Sequence, residues 1–424
     1  MTVSTPDSLW RHADFRRLWA AESVSQLGTQ VSLIALPLMA IIALHATPFQ
    51  VGLLTAVEFL PFLLVGLPAG AWVDRMRRRP VLIAADLGRA AALLILPAAY
   101  LLDLLQLWML FPVVFLVGVL TVFFDVAYGS YLPSLVDRDQ LVDGNAKLEL
   151  SRTGAQIVGP GLGAGLVQVL TAPVAVLADA LSFLGSALFL IAVKRREQPP
   201  VVPEGGHRLL AEIGEGLRFV ISHPLLRPIA LTTATLNLAL GANQAVLLVF
   251  AVRDLGLSPV WIGAVVIAGN IGGLLGAVLS GRLAPRLGYG PTIVVSVTVF
   301  ATTSVLFPLA YGRAGAFLVA AGLFAAGVSA VVYNIAQISL RQTVTPDRLL
   351  GRMNSSMRFV VWGIIPLGAV AGGVAASQVG SRAVLWAAFA VGLVAIAPPT
   401  LSALRSVRDV SAPDEELATV GGQP

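Results

Sequence analysis

The stretch GAWVDRMRRRP, residues 70–80, places five charges in the six positions from Asp74 to Arg79. It follows a long apolar run in a chain of 424 residues that is 57% hydrophobic and only 12% charged. Such a cluster could be a nucleic-acid patch, a solvated loop, or the short connection between two membrane spans. Composition decides. Soluble domains carry about 25% charged residues, so 12% cannot cover a water-facing surface of this size. A mean hydropathy of +0.84 points the same way, to a polytopic membrane protein. The net charge of +5 then matters for where it falls along the chain rather than for its sum, and nucleic acid is not an expected partner.

A bilayer core of ~30 Å needs about 20 apolar residues per helix. Measured with that ruler, the sequence predicts twelve spans, at about 17–44, 49–73, 80–102, 107–132, 146–170, 172–193, 226–251, 258–282, 290–311, 314–340, 356–378 and 381–402. The first run is far longer than the roughly 7–15 residues of a signal-peptide core, so it is expected to remain as a span. With these boundaries, all but four of the 28 Lys and Arg fall at the termini or in connections 2–3, 4–5, 6–7, 8–9 and 10–11. The exceptions are Arg89 inside span three and Arg253, Arg313 and Arg382 on the opposite side. The positive-inside rule therefore predicts cytoplasmic N and C termini. The organisation expected is a six-span half over 1–193, a linker over 194–225, a second half over 226–402 and a tail over 403–424. Within the linker, Leu209, Leu210, Ile213, Leu217, Val220 and Ile221 recur at helical spacing, which predicts an amphipathic helix at the interface.

The two halves echo each other. A shift of 211 residues lays TPFQVG (47–52) on SPVWIG (258–263), Gly70 on Gly281, Arg75 on Arg286 and Pro80 on Pro291. A shift near 208–209 lays Asp125 on Asn334 and Asn145 on Asn354. Two six-span blocks in one orientation are a parallel repeat, an arrangement in which transporters bind substrate near the midplane.

At these residues the chain resembles a known family. GAWVDRMRRRP is similar to the signature loop between helices two and three of the major facilitator superfamily, with Arg77 where a glycine is usual. GRLAPRLGYGP (281–291) resembles its degenerate second copy, with Pro285 in place of the acid. GAQIVGPGLGAG (154–165) looks like the helix-five motif of the superfamily's exporters, through Gly159, Pro160 and Gly163. Stretches such as FRRLWAAESVSQLGTQ, FFDVAYGSYLPSLV and GLRFVISHPLLR resemble a bacterial branch that contains the enterobactin exporter and macrolide-efflux proteins. The resemblance implies an all-α fold of twelve transmembrane helices in the bacterial plasma membrane. It further implies proton-coupled efflux of a small organic molecule (a drug, siderophore or secondary metabolite) by alternating access. An importer or lipid translocator of the same fold, or a non-transporting membrane sensor or assembly protein, remains the alternative. Residues 107–124 carry no charge, so the span-four arginine motif of drug/proton antiporters is missing.

Ionisable groups inside spans are costly and mark function by default. Five acids qualify, all in the first half: Glu22, Glu58, Asp86, Asp125 and Asp179. Glu58 has no basic residue within a helical turn, which makes it a candidate to exchange a proton; a hydrated carboxyl at the cavity mouth is the plainer reading. Glu22, Gln26 and Thr29 or Gln30 share one helical face, a polar stripe suited to substrate or proton contact; a Glu22 that snorkels to the interface is the alternative reading. Asp179, with Ser182 one turn on, is either a third candidate or a helix-to-helix hydrogen bond. Asp86 and Arg89 stand one turn apart and are expected to pair. With Gly70, Asp74, Arg75, Arg78 and Asp125 they make up the expected cytoplasmic gate. The second half offers amides, among them Asn237, Asn243 and Asn334, as a polar wall for cargo. The glycines around Pro160 read equally well as close helix packing. No cysteine is present, the four histidines have no metal-ligand spacing, and no Walker loop or dinucleotide fingerprint appears. A transporter is expected rather than an enzyme, acting as a monomer in lipid, without cofactor or metal, on a small-molecule substrate with protons as the coupling ion.

Overall fold

The computed structural model describes residues 9–73, 75–136, 140–195, 197 and 209–408. Asp74, at the centre of the basic loop, lies outside the described residues, as do 198–208 of the linker. Among the described residues the regular elements are helices, with no strand. Each of the twelve expected spans coincides with helix. Among the described residues nine stretches are long and apolar enough to cross a membrane, and shorter apolar helices at Pro48–Leu64 and Gly363–Val379 fall in the second and eleventh expected spans.

The chain divides into two compact units, one made of Met1–Gly206 with Ser258–Ile267, the other of His207–Leu257 with Ala268–Pro424. The first contains α1 (Ala13–Leu38), α2 (Pro48–Leu64), α3 (Gly66–Val73), α4 (Arg78–Leu101), α5 (Leu107–Leu135), α6 (Leu141–Val169) and α7 (Ala172–Ala192). The second contains α8 (Leu209–Ser222), α9 (Leu226–Arg253), most of α10 (Pro259–Leu287), α11 (Tyr289–Thr303), α12 (Gly315–Val344), α13 (Asp347–Val379), α14 (Ser381–Val394) and α15 (Ala397–Thr400).

Local chemistry sets the helix ends. Thr47 caps α2 through a reciprocal box: its hydroxyl accepts from Gln50 N at 3.3 Å, and Gln50 Oε1 accepts from Thr47 N at 2.8 Å. Pro48 at the first helical position needs no N–H there. Expected span two is split between α2 and α3, because Pro68 has no N–H to give the Leu64 carbonyl. Pro398 and Pro399 likewise divide the last span into α14 and α15. In the other direction, α6 and α13 start earlier than hydropathy suggests, at Leu141 and Asp347. Their first turns carry charges that an apolar ruler excludes, and a helix can run on past the lipid.

Inside a bilayer, apolar burial separates lipid from helix poorly, so small residues at close crossings hold the helices together. In the first unit α6 crosses α1 at two glycines. A Cβ on Gly159 would lie 2.3 Å from Gln30 Cβ, and one on Gly163 would lie 2.9 Å from the Val31 carbonyl oxygen. In the second unit α13 crosses α9 in the same manner: a Cβ on Gly368 would meet the Leu238 carbonyl oxygen at 2.2 Å, and one on Gly372 the Ala242 Cα at 2.7 Å. Both pairs are related by the 209-residue shift, so the repeat extends from sequence into packing. The core of the first unit gathers Phe15, Leu82, Phe124, Tyr131 and Leu190, and that of the second Ile229, Val297, Tyr333, Met353 and Met357.

The linker helix α8 packs within the second unit. A Cβ on Gly216 would stand 2.3 Å from the Arg352 carbonyl oxygen of α13, and Glu215 pairs with Arg352. His223 Nδ1 then accepts from Leu225 N at 3.2 Å and Leu226 N at 3.4 Å, capping α9.

Candidate functional site

In the first unit, α1, α4 and α7 bring four of the expected polar residues indoors. Glu22 is 4% exposed. Its Oε1 accepts from Gln26 Nε2, one turn along α1, at 2.8 Å, while Oε2 is buried with no hydrogen-bond partner among the described residues. Asp125, Arg89 and Arg152 lie within electrostatic reach of this carboxyl. The neighbouring face of α1 meets α7 at Gly28, where a Cβ would lie 2.4 Å from Asp179 Oδ1 and 1.9 Å from Ser182 Oγ. Asp179 is buried and accepts from Ser182 Oγ at 3.1 Å. The glycine makes room for the acid.

On α4, Asp86 and Arg89 form an ion pair in which both side chains are nearly inaccessible, 0% and 3% exposed. The guanidinium lies between two aromatic faces, 4.3 Å from the Phe124 centroid and 4.1 Å from that of Phe183. Asp125, one residue beyond Phe124 on α5, is exposed. Glu58 is half-buried on α2 and makes no hydrogen bond or ion pair among the described residues.

The basic loop is organised by a residue that the sequence reading passed over. Glu197, in the linker, accepts from Arg78 N at 2.9 Å and from Arg79 N at 3.3 Å, and pairs with the Arg78 guanidinium at 3.2 Å. A carboxylate thus sits on the N-terminus of α4, where free N–H groups and the helix dipole favour it. Arg79 reaches the other way, donating to the Leu190 and Ile191 carbonyls at the end of α7 at 3.0 and 2.7 Å. Asp14 accepts from Lys194 N and Arg195 N at 3.0 and 2.9 Å. Of the expected gate residues, Arg78 belongs to this network, Arg75 is exposed, and Gly70 faces open space.

The second unit holds a half-open cavity of about 690 Å³ between α9, α11, α12 and α13. Asn237 and Asn334 line it, whereas Asn243 does not and keeps a buried Oδ1 without a hydrogen bond among the described residues. Also in its wall is Arg341, which a span boundary at 340 assigns to a loop. It is in the last turn of α12 and only 7% exposed. Its Nη1 donates to Gln337 Oε1 at 3.0 Å and its Nη2 to Asn354 Oδ1 at 2.9 Å. The available signal was helical spacing: Asn334, Gln337 and Arg341 stand at i, i+3 and i+7. Among the described residues no group of three or more His, Cys, Asp or Glu is placed to hold a metal.

The family model described as Major Facilitator Superfamily matches residues 18–366. The multidrug efflux pump Tap of Mycolicibacterium fortuitum is 28% identical over 397 residues, covering 89% of this chain and 93% of that protein. The enterobactin exporter EntS of Salmonella typhi is 27% identical over 356 residues, covering 81% of each. Among solved structures, a bacterial homologue of the iron transporter ferroportin, in its inward-facing state, superposes with a TM-score of 0.73 at 18% identity, over 93% of this chain and 99% of that one.

Proposed function

The chain belongs to the Major Facilitator Superfamily, and from that premise we propose that it exports a small organic molecule across a bacterial plasma membrane in exchange for protons, by alternating access. Family and fold are those of transporters, and named efflux proteins, Tap and EntS, are among its relatives. The N and C termini are cytoplasmic in this reading, since the basic connections and both ends share one side. The chain acts as a monomer in lipid, and the Asp74 loop with Arg78 and Glu197 forms its cytoplasmic latch.

The observation that carries proton coupling is Glu22, a buried carboxyl with one oxygen held by Gln26 and the other without a hydrogen-bond partner among the described residues. A group so placed is costly when charged and unmatched. Proton uptake therefore changes its free energy by an amount that depends on which state hydrates it, which is what coupling requires. Asp179 and Glu58 are the further candidates, and Asp86–Arg89 is a structural pair beside them. The test uses proteoliposomes with an imposed pH gradient and a luminal pH dye, to which a macrolide is added, with a catecholate siderophore in a parallel run. Substrate-dependent proton flux is expected in the native protein and is expected to be lost in Glu22→Gln. If Glu22→Gln and Glu58→Gln both leave that flux intact, the coupling assignment is wrong.

A further inference from the structure

We propose that the cavity of the second unit is a recognition site for an organic anion, with Arg341 binding a carboxylate or phosphate group of the solute. The inference rests on the transport reading above and deepens it by naming a substrate class. A guanidinium is always charged and presents five N–H donors in a planar fork. Burying it without a counter-charge is unfavourable, yet among the described residues no carboxylate pairs with Arg341 and none lines the cavity. Its two contacts are neutral amide oxygens, and its Nε is buried with no partner among the described residues.

The chemistry of those contacts fixes the rest. Arginine has no acceptor, so Gln337 and Asn354 must turn their oxygens toward it. Their NH₂ groups then face away from the guanidinium and remain available as donors. Tyr333 and Thr233 do not compete for that role. Thr233 Oγ1 gives its proton to the Ile229 carbonyl at 2.8 Å, so Tyr333 donates to Thr233 at 2.5 Å, and the pair is satisfied internally. The site thus offers one full positive charge and two amide NH₂ groups not spent on it, with Phe300 and Met357 as apolar wall. Bidentate capture of a carboxylate or phosphate is what a guanidinium fork does best, and a cavity of about 690 Å³ is the size of a small-molecule site. Two of the amides expected from sequence, Asn237 and Asn334, therefore share the cavity wall with a cation.

The chain has no cysteine, so Ala330→Cys, on the cavity wall, supplies a single reporter. The protein is placed in phosphatidylcholine nanodiscs and labelled with N-ethylmaleimide in the presence of phenyl phosphate, benzoate, benzamide or benzylamine. The two anions are expected to slow labelling, and the neutral and cationic rings of similar size are not. Arg341→Gln should weaken phenyl phosphate protection roughly 10- to 100-fold, the range for a lost hydrogen bond to a charged group, and Arg341→Lys should retain part of it. Equal protection by all four rings overturns the proposal without recourse to any Arg341 variant, as does anion protection that survives Arg341→Gln. A parallel sample with phosphatidylglycerol and no solute separates lipid from solute: protection there, with none from the soluble anions, assigns the cavity to a headgroup and overturns the solute site. Anion-selective protection in a protein that moves no macrolide, siderophore or proton would sink the transport reading and leave this site standing.

Discussion

Removing Arg89 should cost more than removing Arg89 and the charge of Asp86 together. In Arg89→Met the side chain still fills the gap between Phe124 and Phe183, so packing is largely kept and thioether–ring contacts replace part of the cation–π attraction. What is lost is the counter-charge of a carboxylate that is 0% exposed. Stranding one member of a buried pair costs roughly 3–5 kcal/mol. At roughly 2–4 °C per kcal/mol for a unit of about 200 residues, the unfolding midpoint should fall by roughly 6–20 °C. Asp86→Asn alone strands the arginine instead and should also destabilise. Replacing both removes the mismatch, and exchanges of whole buried pairs for neutral groups are often close to neutral. The assay is thermal unfolding in nanodiscs followed by the loss of monodisperse protein, with all three variants run beside the native chain. A double variant no more stable than the worse single variant would refute the reasoning, because the pair would then contribute through packing and not through charge.

Gly163→Leu and Gly372→Leu should each separate their helix crossings, since even a Cβ there meets backbone at 2.9 and 2.7 Å. Each should lower the unfolding midpoint in nanodiscs, as overpacking typically costs about 1–3 kcal/mol, and an unchanged midpoint would show that the crossing tolerates bulk. A second expectation concerns His223, whose neutral Nδ1 caps α9 and whose burial holds its pKa below the usual value. The cap is therefore fully present above about pH 6.5, the unfolded reference, and is lost as pH falls through the lowered folded value. Hydrogen exchange over residues 219–230, corrected for intrinsic rates, should rise on going from pH 7.5 to pH 5 in the native protein and stay level in His223→Asn. A level native profile would remove His223 from that role.

Hydropathy made the twelve helical regions legible, because a lipid core demands a run of apolar residues from each span. Where helix boundaries diverged, the cause was local. Proline divided α2 from α3 and α14 from α15, and charged first turns carried α6 and α13 past the apolar window. The Asp86–Arg89 pair and the Glu22–Gln26 contact could be read directly, since both follow from positions three or four apart on one helix. Glu197 could not, because its partners Arg78 and Arg79 are 119 and 118 residues away and only the fold brings them together. Arg341 was hidden for a different reason: a cation at a span end looks like topology until burial shows it to be interior.

That hidden residue changes how the repeat should be understood. The 209-residue shift preserves the glycines that join α6 to α1 and α13 to α9, so the two units share their packing. It does not preserve their charge. Asp125 in the first unit falls on Asn334 in the second, Tyr128 on Gln337, and Leu132 on Arg341. Backbone contact constrains the glycines, since any side chain there must move a helix, whereas Asn334, Gln337 and Arg341 of the second unit line its cavity and Leu132 of the first packs in the core. Away from those glycines the two units bury different ionisable groups, Glu22, Asp86 and Asp179 in the first and Arg341 in the second. On the roles proposed above, the carboxylates exchange the proton and the guanidinium holds the anion. Separate seats for proton and cargo would let each act on the same conformational equilibrium without competing for one site, since two ligands are coupled whenever both distinguish its states.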